Sequence, residues 1–170
     1  MNEAPNGSIE TVQVREGTNQ YLTFLLDGEE YGVDILRVQE IRGWEGATQV
    51  PNTPPYVRGV INLRGTIVPI IDLRQRFGLE VVEYGPSTVV VVLRTENGDD
   101  EKVMGIVVDA VSEVYNFAAD EVKPPPNIGD QMDMRYARGL AQAGDGLVIV
   151  LEIDQILSGL GGSVFESANN

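Results

Sequence analysis

Apolar residues recur along this chain in short runs of six or seven positions that are rich in Val, Ile, Tyr and Thr. Runs of this length and composition, separated by Gly, Pro, Asn and Asp, are typical of short β-strands joined by tight turns. The pattern predicts strands at residues 21–26, 30–35, 57–63, 66–71, 88–93, 103–108 and 147–153. Asn97-Gly98 lies between two of these runs and predicts a two-residue hairpin turn.

The two halves of the sequence also resemble each other. Residues 32–41 align with residues 105–114 at an offset of 73, and Gly, Val and Glu recur at matching positions. Residues 58–60 and 67–73 align with residues 138–140 and 147–153 at an offset of 80, with Gln75 over Gln155. The Pro-rich segment 123–136 absorbs the change of offset as a longer loop. Two matching blocks in the same order favour a duplicated unit.

Each half then predicts about five strands that end in a short helical turn, at residues 73–77 and 155–160. Asp72 and Asp154 are expected to cap these turns, and Gly78 is expected to end the first one. Neither half could bury a sufficient core alone. We therefore predict an all-β fold of two pseudo-repeated five-stranded SH3-like β-barrels, packed together with a groove between them and carrying short helical turns.

The predicted domain extends from residue 20 to residue 161. We divide it into subdomains of residues 20–85 and 86–161, with exchange of strands between them left open. A disordered tail is expected at residues 1–19 and a flexible one at residues 162–170. The first twenty residues lack the pattern of a secretory signal, and the apolar runs are too short to span a bilayer. These features predict a soluble, cytoplasmic protein.

The composition narrows the range of possible functions. The chain has no histidine and no cysteine, which excludes Ser-His-Asp and Cys-His triads, disulfides and ordinary zinc sites. We therefore expect no catalytic residue, no cofactor and no metal site, although carboxylate chemistry stays open. The net charge of −14 argues against nucleic acid or an anionic membrane surface as partner, since both are polyanions. Binding to another protein is favoured.

One arginine stands out because the second half of the chain lacks it. Residues 37–76 carry six arginines against three carboxylates, and most of these charges are explained by solvation or by internal pairs such as Arg74 with Asp72. Arg64 lies at the tip of a predicted hairpin, where the second half has Gly144-Asp145 in a similar apolar setting. The hairpin itself therefore needs no arginine, and we expect Arg64 to contact a partner.

Several ordered motifs carry a family resemblance. They are Q-Y-L-T-F at 20–24, E-Y-G-V-D-I at 30–35, V-Q-E-I at 38–41, G-V-I-N-L-R-G at 59–65, I-V-P-I-I-D-L-R at 67–74 and G-I-V-V-D at 105–109. Together they resemble the CheW family of bacterial chemotaxis coupling proteins, from about residue 20 to residue 161. The family fold of two small β-barrels agrees with the repeat.

The resemblance implies a non-enzymatic adaptor. Such a protein binds the cytoplasmic hairpin tip of methyl-accepting chemotaxis receptors and the regulatory, CheW-like domain of the histidine kinase CheA. It would be cytoplasmic and recruited to the inner face of the membrane through receptor arrays, without inserting into the membrane.

The motifs also imply a set of protein-contact residues. Valine and isoleucine would form the floor of a docking groove, with arginine and glutamate at its rim. The implied residues are Val38, Glu40, Ile41, Gly59, Asn62, Leu63, Arg64, Val107 and Val108, of which Val107 and Val108 would line the groove between the barrels. The four valine and isoleucine positions are equally compatible with a plain core. Glu40 recurs as Glu113, so a structural role shared by both halves is an alternative.

Three other interpretations stay open. Asp72 aligns with Glu152, so paired carboxylates could serve an aspartic-protease-like reaction, but the Asp-Thr/Ser-Gly loops are missing and capping explains the positions. The acidic segment 96–101 could bind calcium or magnesium, but it lacks EF-hand spacing. Within the family, the chain could serve another chemosensory pathway, such as twitching motility.

Overall fold

The computed structural model describes residues 17–95, 102–125 and 134–157. The predicted turn at Asn97-Gly98, the acidic segment 96–101 and most of both predicted tails lie outside these residues.

Within the described residues the chain forms ten strands and two short α-helices. All seven predicted strands are present, with ends within three residues of the prediction. Three strands were not predicted individually, namely β3, β8 and β9. The strands are β1 Thr18–Leu26, β2 Glu29–Asp34, β3 Val38–Gly43, β4 Val57–Leu63, β5 Thr66–Asp72, β6 Val89–Thr95, β7 Lys102–Val108, β8 Ala110–Ala118, β9 Ala137–Ala143 and β10 Gly146–Leu151. The helices are α1 Leu73–Arg76 and α2 Ile153–Leu157, with 3-10 turns at Ile35–Arg37, Ala119–Glu121 and Met134–Tyr136.

The strands form two five-stranded sheets, so the predicted all-β class is confirmed. One sheet has the order β3-β6-β7-β5-β4 and is called the central barrel; the other has the order β8-β1-β2-β10-β9 and is called the terminal barrel. An isolated bridge between Thr48 and Val60 joins the continuation of β3 to β4. A matching bridge between Lys123 and Leu140 joins the continuation of β8 to β9. Each bridge links the two outermost strands of its sheet and so closes the barrel.

The two barrels are related by the repeat. If β1 to β5 are matched with β6 to β10, the strand order of one sheet becomes the strand order of the other. The β1–β2 hairpin lies in the terminal barrel and the equivalent β6–β7 hairpin lies in the central barrel. Each sheet therefore takes two strands from one repeat and three from the other, and the segments 20–85 and 86–161 each contribute to both.

A continuous apolar cluster joins the barrels. It includes fully buried side chains from both of them, such as Phe24 and Leu151 of the terminal barrel and Ile71 and Ile106 of the central barrel. Both helices add residues to it, because Leu73 and Ile156 are buried there. Each barrel also has a smaller cluster of its own. No helix among the described residues is long and apolar enough to cross a membrane.

The predicted ends of the helices are right for α1 and wrong for α2. The Asp72 carboxylate accepts a hydrogen bond from the backbone N–H of Gln75 at 3.1 Å, and Gly78 follows the helix with a φ of +77°. Asp154 is not an N-cap, because α2 begins one residue earlier, at Ile153. Its carboxylate instead accepts hydrogen bonds from Arg37. The part of the predicted turn beyond residue 157 lies outside the described residues.

Candidate functional site

The turn between β4 and β5 holds Arg64 in an unusual backbone conformation. Leu63 pairs with Thr66, which leaves Arg64-Gly65 as a two-residue loop with φ values of +52° and +90°. Positive φ at both central positions is the type I′ turn, for which Asn-Gly is the usual sequence. The side chain of Asn62 supports the turn, because its Oδ1 accepts a hydrogen bond from the N–H of Gly65 at 2.8 Å.

The equivalent turn of the terminal barrel provides a comparison. Ala143 pairs with Gly146, and Gly144 takes a φ of +60° at the position that matches Arg64. Glycine adopts this conformation freely, whereas a residue with a Cβ loses roughly 1–2 kcal/mol. The fold is thus satisfied by glycine at this position. The presence of Arg64 is explained by its side chain, not by the turn.

The side chain of Arg64 lies against a second predicted site residue. Its Nη2 donates a hydrogen bond to Oε1 of Glu40 on β3, and 70% of the arginine side chain remains exposed. Nη1 of Arg42 lies 3.5 Å from the other carboxylate oxygen. The hydrogen bond from Arg64 is the main cause that lowers the pKa of Glu40, with Arg42 adding to it. Sequence reasoning placed Glu40 and Arg64 in one site but did not pair them.

Two cavities, together called the groove of the central barrel, lie beside this pair, and the neighbouring Arg42 and Asn62 line the nearer one. One of about 470 Å³ lies between β3 and β4 and is lined by Arg42, Trp44 and Ile61 among others. The next, of about 650 Å³, lies between Trp44, Arg58 and the loop 49–55. These walls combine arginine and tryptophan, which protein-binding surfaces favour.

Trp44 is the site residue that sequence reasoning missed. It packs edge-on against Tyr84 with ring centroids 4.9 Å apart, and the guanidinium of Arg58 lies 5.4 Å from the centre of the same tyrosine ring. Trp44 remains half-buried. A usable signal was present, because Trp44 is the only tryptophan of the chain and lies three residues after the V-Q-E-I motif.

The matching end of the terminal barrel carries aromatic side chains in place of Arg42 and Trp44. At the repeat offset of 73, Arg42 and Trp44 correspond to Tyr115 and Phe117. Those two rings stack with centroids 5.7 Å apart, and Phe117 is buried in the cluster of the terminal barrel. The aromatic side chains fill this end of the terminal barrel, whereas the central barrel presents its aromatic residue to a groove.

Four of the predicted contact residues are buried, and three of them belong to apolar clusters. Leu63 and Val107 belong to the cluster of the central barrel, and Val108 belongs to the shared cluster between the barrels. Successive side chains of a strand point to opposite faces, so Val107 and Val108 enter different cores. Both valines are buried, at 3% and 1% relative exposure, so packing accounts for their positions in the fold. Their contact with a partner, expected from the motif, stays a prediction.

Val38, Ile41 and Gly59 also have roles in the fold. Val38 and Ile41 are half-buried and pack against the shared cluster. Gly59 has a φ of +135°, and a Cβ at this position would lie 2.2 Å from the carbonyl oxygen of Thr48. Gly139 is its repeat partner, and a Cβ there would lie 2.4 Å from the carbonyl oxygen of Lys123. Both glycines permit two backbone segments to approach closely enough to close a barrel.

The six arginines of residues 37–76 divide into two groups. Arg37, Arg74 and Arg76 make contacts inside the fold, and the expected pair of Arg74 with Asp72 is wrong. Arg74 binds Asp109 instead, with Nε 3.0 Å and Nη2 2.8 Å from its two carboxylate oxygens. Of the other three arginines, Arg42 and Arg58 line the two cavities of the central barrel, and Arg64 lies at the neighbouring β4–β5 turn, paired with Glu40.

The carboxylates considered for catalysis have structural partners. Asp72 caps α1 and accepts a hydrogen bond from the hydroxyl of Tyr84. Glu152 accepts a hydrogen bond from Nε of Arg138 at 3.2 Å. The described part of the chain contains no group of three or more Asp or Glu residues arranged to hold a metal ion.

Several known proteins resemble this chain over most of its length. A family model described as the CheW-like domain matches residues 20–160. A chemotaxis protein CheW from Klebsiella aerogenes is 45% identical over 82% of this chain and 81% of its own length. A probable chemotaxis protein CheW from Rhizobium etli is 33% identical over 85% of this chain and 91% of its own length. The crystal structure of the scaffolding protein TtCheW from Thermoanaerobacter tengcongensis superimposes with a TM-score of 0.75 at 30% identity, covering 85% of this chain and 95% of that one.

Proposed function

The chain belongs to the CheW family, and from this premise we propose that it joins chemotaxis receptors to the histidine kinase CheA through the groove of its central barrel. Membership makes it a scaffold of chemotaxis and not an enzyme. The proposal concerns the partners and the residues that bind them: the regulatory, CheW-like domain of CheA and the cytoplasmic tip of a methyl-accepting receptor. The protein would then work in the cytoplasm, held at the inner face of the membrane by the receptors.

The observation that carries the proposal is the backbone conformation of Arg64. The chain holds an arginine at positive φ at a hairpin tip, where the matching turn uses Gly144. Strained residues of this kind are typical of functional positions. Glu40, Arg42 and Arg58 place further charges beside the same groove, which gives a polar rim around Trp44. Such a rim around an aromatic anchor suits docking of a folded partner.

The pair of Arg64 with Glu40 suits a contact that forms and breaks. An exposed ion pair contributes only about 0.2–1 kcal/mol, so a partner can replace either side at low cost. A partner carboxylate could take Arg64, and a partner cation could take Glu40. Because the two charges pair with each other, a partner that binds one of them leaves the other charge unpaired and changes what the surface presents.

The test is a binding measurement with each partner purified separately. Arg64→Gly copies the residue of the matching turn, so it removes the side chain and relieves the backbone cost. We expect binding to the kinase regulatory domain or to the receptor fragment to weaken by roughly tenfold or more, since a tenfold loss needs only about 1.4 kcal/mol. Kinase stimulation in the reconstituted mixture should fall with it.

Arg138→Ala is the matched control. Arg138 also forms an exposed ion pair with a glutamate, but it lies on β9 of the terminal barrel. This variant should bind both partners as the unaltered chain does. If Arg64→Gly binds both partners and stimulates the kinase normally, Arg64 is not part of the contact and the proposed surface is wrong.

A further inference from the structure

The chain passes between the barrels at two places in the described strand path. The first crossing is the 3-10 turn Ile35–Arg37, which joins β2 of the terminal barrel to β3 of the central barrel. The second is the single residue Asp109, which joins β7 of the central barrel to β8 of the terminal barrel. In the repeat, β2 and β3 correspond to β7 and β8, so the two crossings are equivalent.

An arginine–aspartate pair holds the first crossing. The two terminal nitrogens of Arg37 each lie 3.3 Å from one carboxylate oxygen of Asp154 on α2. Nη1 of Arg37 also donates a hydrogen bond to the carbonyl oxygen of Arg94 on β6 at 3.2 Å. The arginine side chain is 15% exposed. The crossing is thereby tied to the helix that follows the terminal barrel and to a strand of the central barrel.

A second arginine–aspartate pair holds the other crossing. Nε and Nη2 of Arg74 on α1 bind the two carboxylate oxygens of Asp109, and this arginine side chain is 11% exposed. Oδ2 of Asp109 also accepts a hydrogen bond from the N–H of Asp27 at 2.9 Å, at the β1–β2 turn of the terminal barrel. The N–H of Asp109 donates to the carbonyl oxygen of Leu25 at 3.1 Å. This crossing joins α1, which follows β5 of the central barrel, to the terminal barrel.

The two pairs are the same contact with the charges reversed. Arg74 and Asp154 occupy matching positions of α1 and α2, at the repeat offset of 80. At one crossing the arginine lies on the crossing and the aspartate on the helix. At the other crossing the aspartate lies on the crossing and the arginine on the helix. Each pair joins the first repeat to the second.

We propose that Arg37–Asp154 and Arg74–Asp109 are positioning pairs that set the orientation of one barrel on the other and specify that the first repeat packs on the second. An apolar cluster lies between the barrels, and apolar contact alone is not directional. The reversed charges make the contact directional, because only the packing of a first repeat on a second repeat brings opposite charges together. If a first repeat packed on another first repeat, Arg37 would face Arg74, and if a second repeat packed on another second repeat, Asp109 would face Asp154.

The arginine of each pair is largely buried, whereas the aspartate side chains are 30% exposed at Asp109 and 42% exposed at Asp154, and this partial burial shapes the expected effect of mutation. Desolvation offsets much of the attraction in a buried ion pair, so such pairs are better understood as specifying geometry than as adding net stability. Removal of one partner leaves an uncompensated charge, which is strongly unfavourable. The surrounding structure can relieve that charge by moving the barrels apart locally. A change in orientation should therefore accompany the loss of either arginine.

The orientation can be measured by distances between spin labels, because the chain has no cysteine to interfere. One pair of labels, at Thr66→Cys and Gln142→Cys, spans the barrels, since Thr66 begins β5 and Gln142 lies on β9. A second pair, at Ser112→Cys and Gln142→Cys, lies within the terminal barrel. These three positions are exposed.

Arg74→Ala should shift and broaden the distance distribution between the barrels and leave the distribution within the terminal barrel unchanged. The double variant Arg74→Asp with Asp109→Arg remakes the ion pair but loses the acceptor for the N–H of Asp27. It should therefore return the distribution towards the original one, which general loss of stability would not do. Arg138→Ala removes an ion pair contained in one barrel and should change neither distance.

An unaltered distribution between the barrels in Arg74→Ala would overturn the proposal. If Arg74→Ala does not fold, Arg74→Lys is measured in its place, since lysine keeps the charge but not the two-pronged contact. An unaltered distance distribution between the barrels in Arg74→Lys would then also overturn the proposal. The orientation of the barrels bears on the proposed function only if a partner binds both barrels at once. The distances need no partner, so a failure of receptor or kinase binding is recognised separately.

Discussion

The substitution Gly59→Ala is the sharpest test of how the central barrel closes. Gly59 lies on β4 beside the bridge in which Thr48 and Val60 exchange two backbone hydrogen bonds, at 2.9 Å and 2.8 Å. A Cβ on Gly59 would lie 2.2 Å from the carbonyl oxygen of Thr48, far closer than packed atoms allow. The backbone must shift, because the obstructing atom belongs to the main chain and not to a flexible side chain.

The cost follows from two contributions. Displacement of the bridge loses two backbone hydrogen bonds, each with a net contribution of about 0.5–1.5 kcal/mol. The φ of +135° lies in a region that only glycine adopts readily, and a residue with a Cβ there costs of order 1–3 kcal/mol. We expect Gly59→Ala to lower the free energy of unfolding by about 3 kcal/mol.

Equilibrium unfolding in urea measures this change, and Gly43→Ala is the matched control. Gly43 also lies on a strand of the central barrel, but a Cβ there meets no atom within 4 Å. This control should stay within about 0.5–1 kcal/mol of the unaltered chain, on either side. If Gly59→Ala also stays within about 0.5 kcal/mol, the closure is not as tight as the structure indicates and the reasoning fails.

Two further predictions concern single hydrogen bonds. The carboxyl of Glu40 should titrate below its ordinary value in an NMR pH series and return towards that value in Arg64→Gly; an inflection that does not move contradicts the pairing. Because folding lowers this pKa, the stabilisation by the pair is present above the ordinary pKa and is lost as pH falls through the folded pKa. Tyr84→Phe removes the hydroxyl that donates to buried Asp72 and should cost about 1–3 kcal/mol of unfolding free energy in urea, whereas Tyr115→Phe, which loses a more exposed bond, should cost less. Equal losses in the two tyrosine variants would argue against a structural role for the bond to Asp72.

The strands that the sequence predicted are those with long apolar runs, and the missed strands have mixed composition. β9 contains arginine, glycine and glutamine among small residues, so neither period nor propensity identifies it. β3 and β8 each have mostly half-buried or exposed positions. The alignment of the halves nevertheless covered part of all three. Self-comparison thus carried information that local pattern lacked.

The pairing of strands across the repeats could not be predicted from the sequence. It comprises two antiparallel contacts, β1 with β8 and β3 with β6, and two parallel contacts, β2 with β10 and β5 with β7. In the contact of β2 with β10, Glu30 pairs with Val148, so the partners are far apart in the chain and no turn sequence fixes their register. The motif G-I-V-V-D likewise does not indicate which core receives Val107 or Val108, because a run of valines suits either face of a buried strand.

The duplication separates what the fold requires from what another protein requires. Where the two halves agree in residue and in a close backbone approach, as at Gly59 and Gly139, the residue is explained by barrel closure. Where they share a geometry but differ in side chain, as at Arg64 and Gly144, the difference faces outward and the fold does not explain it. Substitutions at these two kinds of residue should therefore have different effects on binding and stability. Loss of partner binding in Gly59→Ala should follow the unfolded fraction of the protein, whereas Arg64→Gly should lose binding while the free energy of unfolding stays equal or rises.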